Sequence, residues 1–305
     1  MKLSSIKMYL RHPVRLLARI GKNSFLKRMS DEKYLKMLFK DSMGYPLNLE
    51  NPKTFNEKLQ WLKINDRKPL YTSLVDKYEA KEFASRIMGA DRVIPTLGVW
   101  ERFDDIDFDA LPDQFVLKCT HDSGGLVICR DKSKLDKGVA CKNIERCLNR
   151  NYYWSSREWP YKNVKPRILA EVYMDDENAA VGLTDYKFFC FNGKPEMLYV
   201  SQGLEDHATA SISFYDMEGR EMPFQRSDFK PIEGELTLPS NFAEMRETAQ
   251  RMAMEIECPF VRIDLYSVRG KLYFSEVTFS PCSGMLPFEP KEWDEKLGER
   301  ITLPL

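Results

Sequence analysis

Apolar residues recur at helical spacing through the first ninety or so positions and at alternate positions over much of the remainder. Leu3, Ile6, Leu10, Val14, Leu17 and Ile20 mark one helical stripe, and residues 31–40 and 54–64 carry the same spacing. Thr54, with Glu57 in the first turn, is a capping-box signature for the start of the second of these helices. Residues 76–88 read as a further helix stopped by Gly89, a good C-cap residue. Beyond it the pattern predicts strands over 93–95, 98–102, 115–119, 126–130, 168–173, 185–191, 196–201, 210–215, 261–266 and 271–278, with helices over 134–150 and 241–256. Asn192-Gly193 between two strands is a type I′ hairpin signal. The aromatic and basic stretch 151–167 reads as a long loop, and such loops in compact proteins are usually functional. The expected class is α+β with a dominant antiparallel component. Its expected organisation is a segment 1–30, a helical region 31–92 and a mixed domain 93–305.

The chain has 305 residues, 43% of them apolar, so it can bury a large core. Lys plus Arg and Asp plus Glu both total 46, which leaves no global field to attract nucleic acid, and no nucleic-acid-binding signature is present. The seven cysteines are odd in number, dispersed and without C-x-x-C spacing, which argues against a zinc site or disulfide framework and favours a reducing cytoplasm. No apolar run approaches the length of a bilayer span. Residues 1–30 nevertheless carry Lys2, Lys7, Arg11, Arg15, Arg19, Lys22, Lys27 and Arg28 with no acid. Cations flanking an apolar stripe suggest an interfacial helix in peripheral contact with the inner membrane face, the alternative being a basic helix docked on the body. The arginines interrupt the apolar stretch that a signal peptide needs.

Candidate chemistry begins at Lys118, which closes the apolar run Phe115-Val116-Leu117 and precedes His121-Asp122-Ser123-Gly124-Gly125. Arg262-Ile263-Asp264 and Ser275-Glu276-Val277-Thr278 follow late in the chain. Backbone amides of a Ser/Gly loop can approach phosphate oxygens, a lysine supplies charge, and strand carboxylates can hold the hard cation bridging the phosphates. The set points to ATP and Mg²⁺, although neither P-loop nor G-x-G-x-x-G order is present and Ser123-Gly124-Gly125 also suits a hairpin turn. His121 is a candidate hydrogen-bonding partner on the nucleotide side. Asp264 alternates with Ile263 and Leu265 as on any half-exposed strand, whereas Glu276 sits in an apolar run where an unpaired carboxylate would be costly and a metal would relieve it.

Several stretches together carry a family resemblance: residues 51–61 (NPKTFNEKLQW), 75–78 (VDKY), 118–125 (KCTHDSGG), 159–163 (WPYKN), 185–193 (DYKFFCFNG), 262–266 (RIDLY) and 274–279 (FSEVTF). In that order they resemble the TupA-like family of the ATP-grasp superfamily, linked to teichuronopeptide and other bacterial surface polysaccharides. The resemblance implies an ATP-grasp fold over 93–305, in which two α+β lobes clasp ATP between antiparallel sheets. It implies that Lys118 reaches the phosphates and that Ser123, Gly124 and Gly125 form the lid. Glu171, Val172 and Tyr173 would lie at the adenine hinge, Lys187 and Arg262 would face phosphate or acyl-phosphate, and Asp264 and Glu276 would bind Mg²⁺. Thr278 stands where the family has an Asn as third metal ligand, so a hydroxyl replaces an amide oxygen.

The implied activity is an ATP-dependent carboxylate–amine ligation through an acyl-phosphate, joining an amine donor to a small-molecule or lipid-linked glycopolymer acceptor. Such chemistry needs positioned charge rather than a protein nucleophile. Two alternatives remain: a glycosyltransferase-like enzyme, for which Asp105-Ile106-Asp107 has the D-x-D spacing, and a degenerate nucleotide-binding scaffold.

Overall fold

A computed structural model describes residues 24–175, 183–203, 210–234 and 236–304. The amphipathic stripe over 1–20 therefore lies outside the described residues. The first described element is a short helix, α1 (Ser24–Arg28), followed by α2 (Asp31–Met43). Ser30 caps α2 by accepting from the Lys33 amide at 3.4 Å, and Gly44 at φ 80° ends it in the left-handed conformation that only glycine adopts without cost. The capping box is present on α3 (Phe55–Asn65), where the Thr54 hydroxyl accepts from the Glu57 amide at 3.1 Å and Glu57 accepts in return from Thr54 at 3.2 Å.

A helix that the sequence pattern did not mark, α4 (Pro69–Val75), precedes the one expected over 76–88, which begins four residues later as α5 (Ala80–Met88). Pro69 opens α4, and Asp76 breaks the run because its carboxylate accepts from the amides of Tyr78 and Glu79, turning the chain between the two. The strand expected over 93–95 is a single bridge from Val93 to Phe274. Two antiparallel sheets follow. The first has order β1-β4-β2-β3, from β1 (Thr96–Trp100), β2 (Phe115–Cys119), β3 (Leu126–Cys129) and β4 (Ile168–Val172). Helix α6 (Lys137–Leu148) packs on it, burying Ala140, Ile144 and Cys147 against Phe115, Leu117 and Ile168. The stretch 151–167 contains a short helix, α7 (Tyr153–Ser156), and a 3₁₀ turn at Trp159–Tyr161. It is anchored by Arg157, whose buried guanidinium lies 4.5 Å from the ring centroids of both Tyr34 and Trp154.

The second sheet runs β10-β9-β5-β6-β7, from β5 (Asp185–Phe191), β6 (Lys194–Gln202), β7 (Ser211–Asp216), β9 (Phe260–Val268) and β10 (Lys271–Thr278). The β5–β6 hairpin turns at Asn192 and Gly193, with φ of 48° and 84° as a type I′ turn requires. Helix α8 (Phe242–Ile256) covers one face, where Phe188, Leu198, Val200, Ile263 and Leu265 form the largest core. The other face is divided along the strands. At one end Phe189, Phe191, Phe214 and Phe260 are sealed by Phe55 of α3, by Phe224 and Phe288 beside the ribbon β8 (Gln225–Arg226)–β11 (Phe288–Glu289), and by α9 (Glu292–Glu299). At the other end the same face carries Asp185, Lys187, Arg262, Asp264, Glu276 and Thr278, which the pairings Lys187–Asp264 and Asp264–Glu276 bring side by side. The ribbon and α9 have no periodic signal strong enough to read from sequence, since two-residue strands offer no alternation.

Candidate active site

A cavity of about 580 Å³ opens between the two sheets, within the range of roughly 300–1,000 Å³ usual for small-molecule sites. The four-stranded sheet contributes Val116, Lys118, Ile128, Glu171 and Val172, the five-stranded sheet contributes Asp185, Lys187, Tyr266, Ser275 and Glu276, and Ser123-Gly124-Gly125 lies along the rim. Strand alternation sets this lining: Val116 and Lys118 share one face of β2, while Phe115 and Leu117 point into the α6 core. Gly125 is required by close approach, because a Cβ there would lie 2.3 Å from Cys119 Sγ. The walls combine apolar side chains (Ile94, Val116, Ile128, Val172, Met174, Leu183) with the amines of Lys77, Lys118 and Lys187.

Lys118 Nζ forms an ion pair with Glu171 at 2.6 Å, and Lys81 binds the other carboxylate oxygen. Burial works against both charges. The partners outweigh it, so Lys118 stays protonated above its ordinary range and Glu171 stays ionised below its own. On the second sheet Lys187 lies 2.7 Å from Asp264 and 3.0 Å from Asp185. Asp185 lines the cavity, its Oδ1 is buried without a hydrogen-bond partner among the described residues, and burial raises its pKa despite Lys187.

Arg262 is the hub of the charged end. It donates Nε to Asp264 Oδ1 at 2.7 Å, Nη2 to Asp264 Oδ2 at 2.6 Å, to Glu276 at 3.0 Å and to Thr278 Oγ1 at 3.0 Å, and Nη1 to the Tyr199 hydroxyl at 3.1 Å. Asp264 is fully buried; burial disfavours its charge, but Arg262 and Lys187 hold its pKa below the ordinary carboxylate value. The three oxygen-bearing side chains expected at a metal thus converge, and a guanidinium stands at their centre. Among the described residues no group of three His, Cys, Asp or Glu is placed to hold a metal ion. Glu276 is not the unpaired carboxylate its apolar surroundings suggested: its side chain is 38% exposed on the cavity side and paired with Arg262.

Of the residues singled out in the sequence, Lys118, Ser123, Gly124, Gly125, Glu171, Val172, Tyr173, Lys187 and Glu276 line the cavity, while Arg262, Asp264 and Thr278 lie next to it through the hub. His121 differs from its expected place beside a nucleotide. It is buried behind the loop, with Nε2 donating to the carbonyls of Cys147 at 3.0 Å and Arg150 at 3.1 Å, and burial lowers its pKa. Sequence reasoning assigned no role to Lys77, Lys81 or Asp185. Lys77 and Asp185 lie in the stretches 75–78 and 185–193 that carried the resemblance, which is the signal that could have found them. Asp105 and Asp107 lie away from the cavity, the latter capping a turn through the amides of Asp109 and Ala110.

Two antiparallel sheets enclosing a cleft lined by strand lysines and rimmed by a Ser-Gly-Gly loop have the layout of an ATP-grasp protein. Residues 57–302 match the family described as TupA-like ATPgrasp, and the chain belongs to that family. No curated protein matches it. Among solved structures, D-alanine–D-alanine ligase from Bacillus anthracis complexed with ATP aligns at 16% identity and TM-score 0.38, covering 68% of this chain and 53% of its own. The D-alanine–D-alanine ligase from Helicobacter pylori aligns at 14% identity and TM-score 0.41, with coverages of 83% and 70%. The ATP-grasp ligase PsnB complexed with a phosphomimetic variant of its minimal precursor, Mg and ADP aligns at 11% identity and TM-score 0.41, with coverages of 73% and 57%. The chain spans little more than half the length of the first and third of these ligases.

Proposed function

We propose that the protein is an ATP-dependent carboxylate–amine ligase that modifies a bacterial surface polysaccharide or its precursor. The observation that carries this reading is a single cavity uniting apolar walls, which suit a base, with Lys77, Lys118 and Lys187 and a Ser-Gly-Gly rim, which suit a polyphosphate. In the first step an acceptor carboxylate oxygen attacks the γ-phosphorus and ADP leaves. In the second an amine attacks the acyl carbon, phosphate leaves, and the amine gives up a proton. The chain's part is electrostatic: the lysines and Arg262 offset charge on the transferring phosphoryl group, and no side-chain nucleophile is required. Asp264, Glu276 and Thr278 offer the hard oxygen donors that Mg²⁺ prefers, and they would hold it once Arg262 turned toward phosphate. Bound there, Mg²⁺ would supply charge neutralisation at the phosphates.

Incubation with Mg-ATP and pooled uronates and amino acids tests the reading. ADP and phosphate should accumulate only when both a carboxylate and an amine are supplied. Release of a nucleoside diphosphate from a nucleotide sugar, without ATP consumption, would point to glycosyl transfer instead. The placement of Arg262 among the three oxygens favours a second reading, a nucleotide-binding scaffold, whose signature is saturable ATP binding with no turnover under any substrate pair.

A further inference from the structure

The leading edge of the Ser-Gly-Gly loop is fastened to the end of helix α6. Arg150 follows that helix, and its guanidinium grips Asp122, with Nη2 2.5 Å from each carboxylate oxygen and Nε 3.2 Å from Oδ2. The Asp122 side chain has 0% exposure, so water does not compete for it, whereas Arg150 is 37% exposed and its guanidinium is held by this carboxylate and by the Tyr152 ring, 5.9 Å from its centroid. Two further ties hold the same stretch: His121 bonds to the carbonyls of Cys147 and Arg150, and Lys77 Nζ donates to the Asp122 carbonyl at 2.5 Å. The next three residues, Ser123, Gly124 and Gly125, line the cavity. A serine followed by two glycines has more backbone freedom to lose than almost any other loop composition. Unfastened, it would have to be ordered at the moment a ligand binds; fastened, it already stands along the cavity.

We infer that Arg150 is a positioning residue, which pins Asp122 and so sets where the Ser123-Gly124-Gly125 amides stand before any ligand arrives. The consequence for nucleotide affinity rests on the proposed function; the fastening itself does not. Two variants separate positioning from simple electrostatics, because Arg150→Ala leaves the region one charge more negative and Asp122→Ala leaves it one charge more positive. A field effect on Mg-ATP would move affinity in opposite directions in the two variants, whereas a positioning role weakens binding in both.

The measurements are amide hydrogen exchange over residues 122–126 in the ligand-free protein and calorimetric titration with Mg-ATP. Both variants should exchange these amides about ten-fold faster or more, with amides elsewhere unchanged, and bind Mg-ATP on the order of ten-fold more weakly. Arg150→Lys, which keeps the charge and loses the two-pronged grip, should fall between wild type and Arg150→Ala and guards against a variant that fails to fold. Unchanged exchange in folded Arg150→Ala overturns the inference, as do opposite shifts in affinity. Faster exchange in a protein whose wild type binds no Mg-ATP upholds the fastening and removes the proposed function.

Discussion

Arg262 holds three oxygen-bearing side chains that family resemblance assigns to a metal, so a metal bound there would compete with it for one set of donors. Thr278→Val tests that competition, because valine keeps the β-branched shape suited to a strand and deletes only the oxygen. If Thr278 is a ligand, the variant should need more Mg²⁺ for ATP turnover, and Thr278→Asn should need less. An unchanged Mg²⁺ dependence in Thr278→Val would leave Asp264 and Glu276 alone as the site. Lys118→Ala should reduce turnover by roughly a hundred-fold or more, since it removes a preplaced charge from the cavity, and Glu276→Gln should lower the rate and raise the Mg²⁺ concentration needed for it. Wild-type kinetics in either variant would refute those roles. At this scale the sequence was most legible where chemistry is local: Lys118 and its Gly-Gly neighbour are adjacent in the chain. Lys81 escaped because a lysine on an amphipathic helix reads as solvated, and only the fold reveals that it is turned inward onto Glu171.

Lys63 gives the residue scale a pH signature. It lies within α3, its amine donating to Gln60 Oε1 at 2.9 Å and to the carbonyls of Ser156 at 3.1 Å and Ser283 at 2.7 Å. Burial lowers its pKa from 10.5 to about 8, with Glu158 opposing. Between those two values the unfolded chain holds a proton that the folded chain has released, so stability should rise with pH across that window. Below about 8 the cost of burying the charge is fully present, on the order of 3 kcal/mol. Urea midpoints at several pH values should show this rise in wild type and a flatter profile in Lys63→Met; parallel profiles would mean that the lysine is not the titrating group.

At the scale of elements, the stretch 51–61 that carries the resemblance braces the five-stranded sheet. Phe55 sits on the aromatic end of the five-stranded sheet, with ring centroids 4.9 Å from Phe260, 5.9 Å from Phe288 and 6.0 Å from Phe189. Farther along the same helix, Gln60 and Lys63 bind the carbonyls of Ser283 and Gly284. They thereby hold Cys282, Ser283 and Gly284, which stand at left-handed φ values of 50°, 59° and 58° just beyond the last strand. Phe55→Ala should lower unfolding stability by about 3–5 kcal/mol, measured by denaturant titration. A loss below 1 kcal/mol would mean that the helix does not brace the sheet. The helix itself was legible from its capping box and apolar spacing, but its partners were not, because Phe189 and Phe260 lie far from Phe55 in the chain and nothing local pairs them. The start of α5 was read four residues early for the opposite reason: a local side-chain turn at Asp76 takes up residues that carry helical spacing.

For the whole molecule, the antiparallel α+β reading was legible because strand alternation and the Asn-Gly hairpin recur along the chain, whereas the two-stranded ribbon was too short to leave a pattern. Among the described residues no helix is long and apolar enough to cross a membrane. We propose that the eight cations of residues 1–30, each worth about 1 kcal/mol near an anionic surface, support reversible and salt-sensitive membrane contact. Vesicles rich in anionic lipid should therefore retain the full chain at low salt and release it at high salt, and a chain lacking 1–30 should not be retained. Equal partitioning of the two would refute the proposal.

The divided face of the five-stranded sheet has a consequence for rate. Lys187 lies directly across the strand pair from Tyr199, and that ring packs on Phe189 and Phe214, so the ionic cluster abuts a stiff aromatic layer with few soft dipoles to reorient. On the proposed function, charges held in this way would require little rearrangement as a phosphoryl group passes, which is the condition under which fixed electrostatics accelerates a reaction most. If the proposed function holds, loosening that layer one side chain away from the ion cluster, for instance by Phe214→Leu, should therefore slow the chemical step while leaving nucleotide affinity nearly intact. On the proposed function, the hydrophobic core would itself be a part of the catalytic apparatus.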